Sequence, residues 1–217
     1  MTKIRNDVAE YTQHLVLACG MSTLFALRKG EALHLMILFS SIYDIWHDSA
    51  LAEEVNTMNK ALDHVALGAA AGAIGTTVLN STTYVDMLVR GRPSSSVPSK
   101  VAGKLAEKAG VQAISKTEDE KAENRRSAAG ALMGYATGLS VGLAYGGLRS
   151  LTGPLPKFLA AVGLGFAAMA ASDLAATKTN VTDPQEWTPS AWLSDIIPHL
   201  AYGLATVGAF EALARDR

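Results

Sequence analysis

The sequence predicts an all-α fold: an integral membrane helical bundle of four transmembrane helices, with an N-terminal helical hairpin ahead of it. Three observations predict it. Charged residues are 18% of the 217, against roughly 25% in average soluble proteins. The charges also leave long gaps: residues 65–85 and 127–148 are uncharged runs of 21 and 22 residues, and a bilayer core of about 30 Å needs about 20 helical residues. Finally, the second run carries Gly130, Gly134, Gly138, Gly142 and Gly146 at a spacing of four. Glycine weakens a soluble helix by about 1 kcal/mol, but in a membrane small residues let helix backbones approach and gain van der Waals contact.

Residues 1–60 read as an N-terminal extension. Two apolar segments, 12–27 and 32–46, flank the turn Arg28-Lys29-Gly30. Each is shorter than a full span, so they form either a short spanning hairpin or two helices at the interface. Lys3 and Arg5 resemble the start of a secretion signal, but Asp7 and Glu10 break its positive region, which argues against a cleaved peptide. Residues 48–63, with Glu53, Glu54, Lys60 and Asp63, read as a polar connector.

Residues 61–217 read as the four-helix membrane core. Its first helix is expected at 62–88, with Gly68 and Gly72 as a weaker glycine face. Arg-Gly-Arg-Pro at 90–93 stops it. The loop 90–126 follows and holds nine Lys and Arg residues, which places it in the cytoplasm. Within it, Val101 and Leu105 alternate with Lys100, Lys104 and Lys108 as a short amphipathic helix resting on the membrane surface. The second core helix is expected at 125–149. Gly153-Pro154-Leu155-Pro156 makes a turn into the third, at 157–176. Asp183-Pro184 signals another turn before the fourth, at 192–213. The uncharged runs of these last two, 158–172 and 196–210, are 15 residues each.

Composition also excludes functions. Nineteen basic against 20 acidic residues give a net charge of -1, which is wrong for a nucleic-acid binder. Cys19 is the one cysteine, so there is no intramolecular disulfide framework and no multi-cysteine zinc site. The five histidines are scattered and form no ligand pair. No nucleophile elbow, zinc-protease motif or phosphate loop is present. The sequence therefore predicts no enzyme, no cofactor and no metal.

Ionisable residues at membrane depth are expensive and are functional candidates by default. Asp195 and His199 are four apart and share a helix face, and Pro198 between them frees a backbone carbonyl. The competing reading has Ser194-Asp195 capping the last helix. Topology would bring Asp173, late in the third helix, and Asn80 and Asp86, late in the first, to the same membrane face. Asp86 is also four residues before Arg90. Together Asp195, His199, Asp173, Asn80 and Asp86 make a candidate proton or ion site. Trp187 and Trp192 would sit at the headgroup level on that side.

Three stretches carry a resemblance: VLNSTTYVDMLVRGRP at 78–93, ENRR at 123–126, and VTDPQEW at 181–187 running on to AWLSDIIPHLAYG at 191–203. They resemble a group of small, uncharacterised multi-pass membrane proteins of actinobacterial type. More distantly, the hairpin followed by Ser-Asp-x-x-x-His is similar to the YagU-like inner-membrane family. The resemblance covers about 62–213 and implies a four-helix core in the bacterial cytoplasmic membrane. It implies no activity. With good packing faces and no reaction chemistry, the expected function is a non-enzymatic accessory or scaffold subunit. Its partners would be the lipid bilayer and other membrane subunits or further copies of itself, held through the glycine faces. The alternative is a small transporter or channel using Asp173, Asp195 and His199.

Overall fold

In the computed structural model residues 32–115 and 120–215 are described, and the segment 12–27 lies outside them. Every described element is helical: α1 (Ala32–Arg90), α2 (Val97–Lys108), α3 (Gln112–Ser115), α4 (Glu120–Thr152), α5 (Lys157–Lys178) and α6 (Pro189–Leu213), with a 3-10 turn at Pro184–Glu186. By contacts the chain divides into two units, Met1–Thr57 and Met58–Arg217.

The expected connector at 48–63 is helical, inside α1. Its charges suggested a loop, but it holds neither Gly nor Pro, and Ala, Leu, Glu, Lys and Met are all strong helix formers. In the first unit the apolar side chains Ile37, Leu38, Phe39, Tyr43 and Ile45 are exposed.

Among the described residues three helices are long and apolar enough to cross a membrane: Ile37–Arg90, Lys157–Lys178 and Pro189–Leu213. Of the four expected spans, α4 does not meet that measure. Its run 127–148 is uncharged without being strongly apolar. Six glycines, two tyrosines, two serines and a threonine dilute its leucine and valine, and glycine brings no apolar side chain to bury in lipid.

Within Met58–Arg217, α1 runs antiparallel to α4 and to α6, and α5 antiparallel to both. Two glycine seams hold these crossings. At the first, a Cβ on Gly72 of α1 would lie 2.6 Å from Gly138 O and 3.1 Å from Gly142 Cα of α4, and one on Gly68 would lie 2.9 Å from Gly146 Cα. At the second, a Cβ on Gly165 of α5 would lie 2.7 Å from His199 O of α6, and one on Gly203 would lie 2.7 Å from Gly165 N. Such backbone contact is available only to residues without side chains.

Leu67, Ala71, Tyr145, Leu164, Tyr202 and Phe210 make the core beside these seams, with Tyr145 edge-on to Phe210 at 5.2 Å. Thr76, Thr206 and Arg149 are buried too, while Leu132, Phe158, Leu159, Phe166, Leu174 and Leu204 face outward. Small and polar groups inside with large apolar groups outside suit a bundle surrounded by lipid, since lipid gives leucine no reason to leave the surface.

Helix α2 turns most of its apolar face inward, with Leu105 left exposed. Val101, Ala102 and Ala106 are buried where α2 packs on the start of α4. A Cβ on Gly130 would lie 2.7 Å from Pro98 C, and one on Gly103 2.7 Å from Arg126 Cδ.

Candidate functional site

The glycine stripe does not face one partner. Residues four apart drift by about 40° around a helix, so Gly130 and Gly146 stand about 160° apart. Gly138, Gly142 and Gly146 meet α1, Gly130 meets α2, and Gly134 between them has nothing within 4 Å. Gly134 is therefore off the seam that spacing assigned it to. Gly208 of α6 is likewise open, whereas Gly75 of α1, which the spacing did not single out, receives the Thr206 side chain.

The start of α6 fixes the geometry of the ionisable residues. Thr188 is its N-cap, accepting from Ala191 N at 3.2 Å, and Pro189 takes the first helical position, where a missing N–H costs nothing. Asp195 is therefore inside the helix and is not its cap. The Thr-Pro pair is the stronger start signal, and Ser194-Asp195 imitates one nearly two turns later.

Freed from capping, Asp195 joins a cluster between α6 and α5. His199 Nδ1 lies 2.8 Å from the Asp195 backbone carbonyl and 3.4 Å from Asp195 Oδ1. A carbonyl only accepts, so Nδ1 carries the hydrogen, and Nε2 accepts when the ring is neutral and donates when it is charged. Nε2 lies 3.5 Å from Ser172 Oγ of α5, whose hydroxyl donates to Met169 O at 2.8 Å. Next to Ser172, Asp173 is half-buried and near enough to Asp195 and His199 for their charges to act on its carboxyl. Asp195 Oδ2 is buried without a hydrogen-bond donor.

Asp86 belongs to a second cluster on the same end. Arg90 binds it bidentately, both contacts 2.6 Å, and Arg92 Nε reaches it at 2.5 Å. Arg90 also donates to Ser190 Oγ of α6 at 2.8 Å and to Ser194 Oγ. Asp86 is thus committed to cations, and these serines tie the end of α1 to the start of α6. Asn80 is half-buried on α1, and among the described residues no hydrogen bond joins it to Asp195 or His199. The tryptophans pack edge-on at 4.9 Å, with Trp187 donating to Thr182 Oγ1 at 2.7 Å.

A third cluster, at the opposite end, was invisible in the sequence. Arg149, closing α4, pairs with Glu211 of α6 at 2.6 Å, and both are largely buried. Lys157 reaches the other Glu211 oxygen at 3.6 Å. The Arg149 guanidinium also donates to Gly153 O and lies 5.4 Å over the Phe210 ring.

Two adjacent carboxyls beside an imidazole can hold one proton among them and pass it on, because like charges at close range do not both ionise readily. Among the described residues no three His, Cys, Asp or Glu side chains are arranged to hold a metal ion. Compared with protein-family models, curated proteins and solved structures, the chain finds no match.

Proposed function

We propose that the protein is a non-enzymatic integral membrane protein that takes up a proton at the Asp173–Asp195–His199 cluster. In this reading it is a small transporter or channel of the bacterial cytoplasmic membrane, with the basic loop 90–126 on the cytoplasmic side. One observation carries it. With Thr188 as the cap, Asp195 has no local structural duty, yet its carboxylate stands 3.4 Å from His199 Nδ1 one turn along α6 and within electrostatic range of Asp173 on α5. Charged groups at that depth are retained at a cost. The test is pH-driven proton uptake by vesicles holding the purified protein, compared with Asp195→Asn and His199→Ala.

The accessory-subunit reading rested on glycine faces free to bind partners. Gly68, Gly72, Gly138, Gly142 and Gly146 are instead filled within the chain. What favours it still is the outward set, Gly134, Gly163 and Gly208, each open for 4 Å. A stable complex with another membrane protein, lost in Gly134→Leu, would support it.

A further inference from the structure

We propose that the end of the bundle closed by Arg149 and Glu211 is a second mouth, through which water reaches the interior of α6 as far as Thr206. This rests on the proton reading above, since such a site must be reached from both sides of the membrane for net movement.

The geometry points there in three ways. The Arg149–Glu211 pair joins α4 to α6 where those helices end, and Lys157 holds the second carboxylate oxygen. Two buried polar atoms at or below this closure, Arg149 Nε and Thr206 Oγ1, have no hydrogen-bond partner. Thr206 is 0% exposed, and the phenol of Tyr202, one turn earlier, donates its hydrogen to Gly138 O at 2.6 Å. Along α6, His199, Tyr202 and Thr206 fall at successive turns of one face, which continues to Phe210, buried beneath Arg149.

An ion pair that only stapled the helices would explain Arg149 and Glu211 but not Thr206. Valine has nearly the same shape, and a buried hydroxyl without a partner destabilises the protein. Opening the Arg149–Glu211 end would let water satisfy that hydroxyl. Keeping a threonine there makes sense if the position is wetted in another state.

The test uses the full chain with Cys19→Ser, so that Thr206→Cys is its one thiol, in sealed vesicles of fixed orientation. A membrane-impermeant thiol reagent is added to either side. With Glu211 intact, labelling is slow. Glu211→Gln should speed labelling by about tenfold or more from the Arg149–Glu211 side alone, as the open state gains population. Unchanged labelling, or equal acceleration from both sides, would overturn the proposal, the second because it signals general loosening. Glu211→Asp, which keeps the charge but shortens the reach, takes the same assay should Glu211→Gln not assemble, with the same expectation. A second readout is independent of labelling. Thr206→Val should melt at the same or a higher temperature yet take up protons several-fold more slowly, whereas an unchanged rate counts against the route. Wild-type vesicles that take up no proton would sink the cluster reading itself. Wild-type uptake with unchanged labelling would sink only the second mouth.

Discussion

The phenol of Tyr202 on α6 donates to the carbonyl of Gly138 on α4 at 2.6 Å, in the buried centre of the bundle. That carbonyl is within reach because neither Gly138 nor Gly72 beside it carries a side chain. The glycine seam and the polar face of α6 are thus one arrangement: close backbones expose a carbonyl, and the tyrosine uses it. Tyr202→Phe should cost about 0.5–1.5 kcal/mol, the net value of one such bond, seen as a lower melting temperature in detergent.

The glycines give a sharper contrast. Gly142→Leu puts a side chain against the Gly68 and Gly72 backbone, which has no flexible end to swing away. It should cost about 3 kcal/mol or more, or prevent assembly. Gly134→Leu fills open space and should change stability by about 0.5 kcal/mol or less. Equal losses in the two melting curves would mean that the α1–α4 crossing is not where this structure has it.

Much of this was legible in the sequence. The turn at 153–156 and the helices on either side of it could be read from Gly, Pro and uncharged length, because those signals are local. Helix α1 could not be read whole, since Glu53, Glu54 and Lys60 imitate a loop while being good helix formers. The facing of the stripe was lost because period-four spacing drifts around a helix, so Gly134 matched the pattern and missed the seam. The Arg149–Glu211 pair joins residues 62 apart in sequence, and only the packing of α4 on α6 brings them together.

Helix capping separates two residues that the sequence left in competition. Thr188→Ala removes the acceptor for Ala191 N and should cost about 1 kcal/mol, a shift of about 2–4 °C in a domain of this size. Asp195→Asn should not reproduce that loss. A melting curve for Asp195→Asn matching that of Thr188→Ala would return Asp195 to a capping role.

Three helices long and apolar enough to cross a membrane predict retention in the membrane pellet after carbonate washing. Appearance in the supernatant would contradict the lipid-facing assignment of Phe158, Phe166 and Leu204. Orientation has its own test. With Cys19→Ser, a cysteine at Ser95 should be labelled by an impermeant reagent only from the cytoplasmic side, because nine Lys and Arg share its loop. Labelling in intact cells would invert the topology.

The central claim is that Asp195 and His199 handle a proton together with Asp173 and are not there to hold α6 in place. Proton uptake into vesicles, measured beside thermal stability in detergent, tests it most directly. Asp195→Asn and His199→Ala should each slow uptake by about tenfold or more, with melting temperatures within about 4 °C of the wild type. Stable variants with wild-type uptake would contradict the account.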